Sequence, residues 1–333
     1  MDISIIIVNY NTFKITCNCL QTVFANKTSL SMEIILIDND SKDEDPSRFL
    51  HLFPGITLIR NQTNLGFGYA NNEGMKVASG KYILLLNSDT LVNPDTLEKS
   101  FQFMESEVAR KENIGLMGCK ILNPDGSTQP SVFPYLQNGL FTFFKTSNPI
   151  AGLLSRILKT DKHALFNYND AHHVGDISGA FMFFRADVCH TTGYFDTDFF
   201  MYCEDTEWCR ERIRKYCSIY YYPGASIIHL GGQSAPQDLM YIQSKLSLSL
   251  VWYKKGWLNY TGYIIQVYLN LILNISLLPF VKKNSRIAML DSIRASIKIF
   301  PYLFYDIPKY KRGMNSRKEK LVYRPAAKIM QLG

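Results

Sequence analysis

The sequence predicts an α/β fold, in which an open, mostly parallel sheet is flanked by helices and followed by a helical C-terminal extension. Short β-branched runs alternate with stretches of helical spacing in the first half of the chain. These runs are apolar on both faces, as a parallel sheet covered by helices requires. The last third becomes helical and locally uncharged. We therefore divide the chain into a domain at 1–235 and a second region at 236–333.

The individual elements follow from the same patterns. Strands are predicted at Ile3–Val8, Ile34–Ile37, Thr57–Ile59 and Tyr82–Leu86, and helices at Phe13–Ala25, Tyr69–Ala78 and Asp95–Glu107. The last of these follows Asn93-Pro94, which is a signal for the start of a helix. The less regular second half predicts a strand at Ile177–Arg185, a helix at Asp205–Lys215, a short strand at Ala225–Ile228, and a loop with short helix at Pro130–His173.

The composition is that of a globular cytoplasmic protein. Of the 333 residues, 47% are hydrophobic and 20% are charged, which excludes wholesale disorder. Seven scattered cysteines show neither zinc-site spacing nor a disulfide framework, so we expect reduced thiols. The opening apolar run lacks a basic start and is too short for a signal peptide, so it is interpreted as a buried strand.

The positive charge is concentrated at the C-terminal end. Residues 281–333 hold thirteen Lys or Arg against three Asp or Glu, a local net of +10, whereas the whole chain carries +7. The first 280 residues therefore carry −3. The basic tail is not accompanied by the paired basic and aromatic residues with which proteins recognise nucleic-acid bases, which argues against nucleic acid as its binding partner. An anionic membrane surface is the favoured partner, because a long uncharged segment lies beside this tail.

That uncharged segment is Gly256–Val281, close to the roughly 20 residues of a membrane-spanning helix. Gln266, Asn270 and Asn274 recur at every fourth position and would form a polar stripe. We therefore favour a helix that lies in the membrane interface with its apolar face down. A true span and a helix packed within the protein are the alternatives. Ile287–Phe304 mixes basic and apolar residues as a surface-binding helix does.

Polar clusters follow four predicted strands in succession. They are Asn9-Tyr10-Asn11, Asp38-Asn39-Asp40-Ser41, Asn61–Gly68 and Asn87-Ser88-Asp89. Turn chemistry alone explains part of this pattern. However, ligands of open α/β sheets bind beyond the carboxyl ends of the strands, so a binding site built from these loops is favoured.

Three of these clusters suggest parts of a nucleotide site. Asp38 could accept a hydrogen bond from the ring N–H of a pyrimidine, or simply cap a helix. Asn64–Gly74 matches neither the dinucleotide fingerprint nor the P-loop, but its backbone amides would favour an anion. Asp89 could hold Mg²⁺ or Mn²⁺ that bridges two phosphates, or belong to a turn before the next helix.

Two further positions suggest catalysis. Glu204 and Asp205 lie together between an aromatic run and a helix, where acids can simply favour the helix dipole. A carboxylate beside buried aromatic rings would have a raised pKa, which suits a general base. His229 ends a strand and could complete a metal shell, although a lone histidine is more often structural.

Taken in order, these motifs resemble those of family 2 glycosyltransferases with the GT-A fold, from Ile3 to about Ser234. The resemblance implies an inverting transferase with Asp205 as its general base and Glu204 as the second candidate. It implies a metal site at Asp89 and His229. The nucleotide-sugar contacts it implies are Asn9, Asn11, Asp38, Asn64, Gly66, Phe67, Asn71, Asn87 and Ser88.

Within the family, the sequence most resembles bacterial rhamnosyltransferases. These imply dTDP-L-rhamnose as donor and a polyprenyl-diphosphate-linked saccharide as acceptor, in the assembly of cell-surface polysaccharide such as O-antigen. The expected location is peripheral, at the cytoplasmic face of the inner membrane. Asn87 replaces the first acid of the family's Asp-x-Asp motif, which weakens the cation site, and Tyr69-Ala70 also departs from the family pattern.

Three other functions fit parts of the sequence. A galactofuranosyl or other nucleotide-sugar transferase would share these motifs. A nucleotidyltransferase would need an early glycine-rich basic loop, and only Lys14 lies near the first strand. A non-catalytic membrane partner that keeps the fold is favoured by Asn87 but opposed by the intact Glu204-Asp205 pair and His229.

Overall fold

The computed structural model describes residues 1–26, 28–133, 166–232, 237–281 and 283–307, and these residues separate into two compact units. The first unit comprises the described parts of Met1–Tyr135, Phe166–Thr197 and Glu204–Ser234. The second comprises Asp198–Cys203 and the described parts of Ala235–Gly333. Most of the segment predicted as a loop with short helix, and most of the basic tail, lie outside the described residues.

The first unit is built on a nine-stranded sheet in the order β3-β2-β1-β4-β10-β6-β11-β5, with β8 paired to β11. The strands are β1 (Ile3–Asn9), β2 (Met32–Asp38), β3 (Thr57–Arg60), β4 (Tyr82–Asn87), β5 (Thr90–Val92), β6 (Ile114–Leu122), β8 (His172–His173), β10 (Phe181–Arg185) and β11 (Ser218–His229); β7 (Val132–Phe133) and β9 (Asp176–Ile177) pair separately. The pairings between β3, β2, β1 and β4 and between β6 and β11 are parallel, whereas β10 runs antiparallel to β4 and β6, and β5 and β8 run antiparallel to β11. The predicted open, mostly parallel α/β sheet is therefore confirmed.

Helices cover both faces of this sheet. They are α1 (Phe13–Ala25), α2 (Arg48–Leu52), α3 (Phe67–Val77), α4 (Thr96–Glu105), α5 (Glu107–Lys111), α6 (Ala186–Thr192) and α7 (Glu204–Glu207). Ile5 and Ile6 of β1 are both fully buried but belong to different hydrophobic clusters, since successive strand residues point to opposite faces. Helix α3 packs tightly on the face of the sheet to which Ile6 points, since a Cβ on Gly74 would lie 2.6 Å from Cγ2 of Ile6.

Several elements differ from the prediction. The strand expected at Ile177–Arg185 is divided into β9 and β10 by residues 178–180. The helix expected at Asp205–Lys215 is only one turn of α-helix, followed by a π-helical turn at Trp208–Arg212 and a 3₁₀ turn at Ile213–Lys215. Strand β11 begins seven residues earlier than expected, because a register shift between Tyr222 and Ser226 carries the pairing past Pro223 and Gly224.

The described part of the second unit contains three long helices that pack against one another: α8 (Gln237–Lys254), α9 (Trp257–Leu277) and α10 (Lys283–Pro301). Two residues of the polar stripe predicted on α9 are buried, with Gln266 2% and Asn274 5% exposed, whereas the third, Asn270, is half-buried. Asn274 Nδ2 donates to Ser292 Oγ of α10 at 3.3 Å. The exposed face of α9 is mostly apolar and carries Leu258, Ile265, Leu269, Ile272 and Ile275, with Thr261 and Ser276 also exposed. By length and composition, Trp257–Phe280 could also cross a membrane.

Candidate active site

The carboxyl ends of β1 and β2 are joined through Asn9. Its Nδ2 donates to Asp38 Oδ1 and to Ser41 Oγ, both at 2.9 Å. Its Oδ1 accepts from the hydroxyls of Thr12 at 3.1 Å and Thr16 at 2.8 Å. These four bonds use both amide hydrogens and both oxygen lone pairs. Asn9, which we expected to contact the nucleotide, is thus engaged in orienting Asp38.

A second network joins the loop after β2 to the start of α3. Asn39 Nδ2 donates to Asn64 Oδ1 at 2.7 Å, and the same oxygen accepts from the backbone N–H of Gly66 at 3.0 Å. Asn64 is 5% exposed and Gly66 takes a positive φ of 92°, a conformation that favours glycine. Asn64 therefore shapes the loop that presents the first backbone amides of α3.

The remaining residues predicted to bind the nucleotide occupy different environments. Asn11 has a φ of 52°, and its Oδ1 accepts from the backbone of Lys42 at 2.7 Å. Asn71 is buried and donates back to the Phe67 carbonyl at 3.0 Å. Phe67 itself is half-buried, with its ring centroid 6.4 Å from that of Phe195. Asn71 consequently supports the helix, whereas Phe67 keeps an accessible ring.

The turn after β4 meets the end of β11 at the expected metal residues. His229 Nε2 lies 3.2 Å from Asp89 Oδ1 and 3.5 Å from Asn87 Nδ2. The backbone fixes this arrangement, since His229 pairs with Thr90 and the N–H of Leu230 donates to the Asp89 carbonyl at 2.9 Å. Ser88, 8% exposed, lies within 3.4 Å of the Thr12 hydroxyl.

This cluster fits a divalent cation shared with a substrate. Two neighbouring ligands of octahedral Mg²⁺, each about 2.1 Å from the ion, lie about 3 Å apart. The separation of Asp89 Oδ1 and His229 Nε2 is close to this. Asn87 Nδ2 is the atom that faces His229, and Asn87 Oδ1 is buried without a hydrogen-bond partner among the described residues, so this amide oxygen has the capacity for one more partner. Within the described parts of the chain, no three His, Cys, Asp or Glu side chains converge on one ion site, so phosphate would complete the shell.

The two acids predicted to be catalytic open α7 and lie beside β10. Asp205 Oδ2 accepts from the backbone N–H of Gly179 at 2.9 Å, and Oδ1 accepts from the N–H of Thr206 at 2.7 Å. The Asn87 N–H donates to the Ala180 carbonyl at 3.2 Å, so the segment that precedes β10 also contacts the end of β4. Asp205 is half-buried, whereas Glu204 is only 4% exposed and packs against Gly68 at the start of α3.

Burial tunes the acid–base properties of this region. Loss of hydration raises the pKa of Asp205 above its usual value, although the N–H groups of Gly179 and Thr206 oppose the shift. Burial likewise raises the pKa of Asp176, which is fully buried, to about 6. Arg210 opposes this shift through contacts of 3.0 Å and 3.1 Å with the two oxygens of Asp176, while the charge of Asp205 adds to it.

The backbone around the two acids is strained. Tyr202 and Cys203 both adopt left-handed conformations, with φ of 69° and 68°, immediately before Glu204. After α7, the π-helical turn is held by Trp208, whose Nε1 donates to the Gly193 carbonyl at 2.9 Å. Such turns are frequent at functional sites. Two left-handed residues therefore precede α7 directly, and a π-helical turn follows it.

Four residues near the site were not predicted from sequence. Gly179 gives the backbone N–H that binds Asp205, and Asp176 and Arg210 form the buried pair beside it. Gln129 Oε1 lies 2.7 Å from His229 Nδ1. Asp125-Gly126 is a turn signal that could have indicated the reversal bringing Gln129 back to the sheet. Nothing in the local sequence marks the other three.

Comparison with known proteins identifies the segment that carries Asp38 and Asp89. The family model for glycosyl transferase family 2 matches residues 4–110. This segment is a family 2 glycosyltransferase domain. Over 103 residues, the chain is 33% identical to an uncharacterized glycosyltransferase of Haemophilus influenzae, covering 31% of this chain and 34% of that protein. The chain thus spans about a third of the length of the first curated relatives that it matches.

Two longer similarities extend beyond the family 2 domain. The N-acetylglucosaminyl-diphospho-decaprenol L-rhamnosyltransferase of Mycobacterium tuberculosis is 26% identical over 232 residues, covering 63% of this chain and 70% of that protein. The mannosyltransferase PcManGT from Pyrobaculum calidifontis, solved in complex with GDP-Man and Mn²⁺, superposes with a TM-score of 0.57 at 13% identity, covering 89% of this chain and 86% of that one. The chain therefore has the GT-A fold.

Proposed function

We propose that this protein is an inverting glycosyltransferase that moves a sugar from a nucleotide-sugar donor to a saccharide acceptor carried on a lipid. The observation that carries the proposal is the position of Asp205. It lies next to Gly179, one residue before the Ala180 carbonyl that binds the metal turn of β4. Asp205 is thus bound to the segment that precedes β10, and this segment also contacts the end of β4, where the proposed leaving-group site begins. A single displacement at an anomeric carbon needs a base and a leaving-group site held close together.

In the proposed reaction, Asp205 accepts the proton of the acceptor hydroxyl. The hydroxyl oxygen forms a bond to the anomeric carbon as the bond from that carbon to the nucleotide diphosphate breaks on the opposite face. Its raised pKa makes Asp205 a stronger base than an ordinary aspartate. Glu204 is the second candidate, but it is more deeply buried.

Asp89 and His229 would hold a divalent cation, with the Asn87 amide oxygen as an additional ligand. Bound there, the ion would offset the negative charge that develops on the leaving diphosphate. Asp38, oriented by Asn9, would accept a hydrogen bond from the base, and the loop shaped by Asn64 would direct backbone amides toward phosphate.

The donor we favour is dTDP-L-rhamnose. The support is the similarity to the mycobacterial rhamnosyltransferase, whose name also gives a polyprenyl-diphosphate-linked N-acetylglucosamine as acceptor. A lipid-linked acceptor agrees with the exposed apolar face of α9 in the second unit. We therefore propose a role in the assembly of cell-surface polysaccharide such as O-antigen.

We also propose that the protein binds peripherally at the cytoplasmic face of the inner membrane, through the apolar face of α9. Gln266 and Asn274 are buried, and Asn274 contacts α10, so the large outward side chains of α9 are mostly apolar. Apolar surface of this kind binds in the interface of a bilayer. The basic C-terminal residues would add attraction to anionic lipid.

Thermal unfolding with a panel of nucleotide diphosphates and nucleotide sugars tests the donor assignment, with and without Mn²⁺. A ligand at 100 times its dissociation constant adds about 2.7 kcal/mol of stability. We expect Mn²⁺-dependent stabilisation by dTDP and dTDP-rhamnose, lost in Asp89→Ala and kept in Glu107→Ala, which removes an exposed carboxylate. Stabilisation by a different nucleotide sugar would identify that compound as the donor instead. If none of the ligands raises the unfolding temperature, a non-catalytic membrane partner would be favoured.

A further inference from the structure

Gln129 contacts the far side of the His229 ring, away from the metal turn. Gln129 Oε1 lies 2.7 Å from His229 Nδ1, while Nε2 faces Asp89 and Asn87. A carbonyl oxygen can only accept a hydrogen bond, so Nδ1 carries the proton in this contact. In a neutral imidazole, Nε2 then carries the lone pair, on the side of the ring that faces Asp89 and the Asn87 amide.

The backbone holds Gln129 in this position. Its N–H donates to the Ile121 carbonyl at 2.8 Å, and Thr128 bridges to Leu122, so the chain after the turn runs back along β6. β6 pairs in parallel with β11, which ends at His229. Gln129 and His229 are therefore fixed by adjacent strands.

The arrangement has a chemical consequence at the metal turn. His229 Nε2 and Asp89 Oδ1 lie 3.2 Å apart, and both are acceptors when Nδ1 carries the only ring proton. Two facing acceptors repel each other unless a cation lies between them. A proton on Nε2 instead would make that nitrogen a donor and remove it as a ligand.

We propose that Gln129 is a positioning residue that keeps the ring proton of His229 on Nδ1 and so keeps Nε2 available as a cation ligand. The inference rests on the proposed function, in which Asp89 and His229 hold a divalent cation. Hydrogen bonds to the remote nitrogen of a metal-binding histidine fix its tautomer and ring orientation, and their loss typically lowers metal affinity about 10- to 100-fold.

Mn²⁺ binding tests this without reference to activity. The full chain, with dTDP present, is titrated with Mn²⁺ while the unbound ion is followed by electron paramagnetic resonance. We expect Gln129→Ala to weaken binding roughly tenfold or more, and Gln129→Glu, which keeps an acceptor oxygen, to bind within about threefold of the wild type. Ser127→Ala is the matched control, because it alters hydrogen bonds of the same turn without touching His229.

The ring proton itself gives a second readout. Long-range ¹H–¹⁵N spectra of histidine-labelled protein should show His229 protonated on Nδ1 in the wild type and redistributed in Gln129→Ala. Equal Mn²⁺ affinity in the wild type and Gln129→Ala, or an equal loss in Ser127→Ala, would overturn the inference. If the wild type binds no Mn²⁺ under these conditions, the metal part of the proposed function fails and this inference fails with it.

Discussion

Replacing Asp176 by Asn should change the pH dependence of stability in a defined direction. Asp176 is fully buried, and its pKa of about 6 in the folded protein lies above the ordinary value of 3.8. The folded state therefore holds this proton more tightly than the unfolded state does. The stability gained in this way is complete below about pH 4 and is lost as the pH rises through 6.

The size of the effect follows from the shift. A difference of roughly two pKa units corresponds to about 3 kcal/mol in the free energy of unfolding, of which about 1.4 kcal/mol falls between pH 5 and pH 8. Asn at position 176 does not titrate. The variant also replaces one oxygen that Arg210 contacts, and this change of packing and hydrogen bonding lowers stability by an amount that does not depend on pH. That loss cancels when only the pH dependence of the difference is considered.

Urea unfolding of the wild type and Asp176→Asn at intervals from pH 5 to pH 8 measures this difference. We expect the wild type to lose about 1.4 kcal/mol relative to the variant over that range. Activity gives a second readout: removing a negative charge beside Asp205 should move the acidic fall in kcat/KM to lower pH. A difference in unfolding free energy that does not vary with pH would refute the reasoning.

The remaining predictions concern the base, the sheet and the outer helix. Asp205→Asn should lower kcat by at least about 100-fold while leaving nucleotide affinity unchanged, which steady-state kinetics and ligand titration measure separately. The wild-type rate should fall at acidic pH as the pH drops through the raised pKa of Asp205. Gly74→Ala should destabilise the first unit by about 1–3 kcal/mol in urea unfolding, because the new Cβ would lie 2.6 Å from Ile6 Cγ2. Leu269→Glu with Ile272→Glu should prevent flotation with anionic liposomes while preserving nucleotide binding; flotation equal to that of the wild type would contradict the proposed membrane face.

The sheet was predictable because its strands are locally distinctive. The first four predicted strands all appear, since runs such as Ile3–Val8 are apolar on both faces and need no distant partner to be recognised. Strand β11 was recognised only at its end, because Pro223 and Gly224 interrupt the pattern that the register shift accommodates. The helix expected after Asp205 gave way to a π-helical turn held by long-range contacts of Trp208.

The site was predictable to the extent that its residues follow strand ends. Asp89 and His229 meet because β4 and β11 deliver them to the same edge of the sheet. The detailed roles depend on tertiary hydrogen bonds that no sequence spacing reveals. The amide of Asn9 donates to Asp38 and Ser41, and Asp176 pairs with Arg210, which lies 34 residues later in the sequence.

The stereochemistry of transfer tests the central claim most directly. The full chain, dTDP-L-rhamnose and a polyprenyl-diphosphate-linked N-acetylglucosamine would be incubated with Mn²⁺, and NMR would compare the anomeric configuration of donor and product. A single displacement with Asp205 as base predicts a rhamnosyl product of inverted configuration that forms with the wild type and not with Asp205→Asn. A product of retained configuration, or undiminished transfer by Asp205→Asn, would contradict the account.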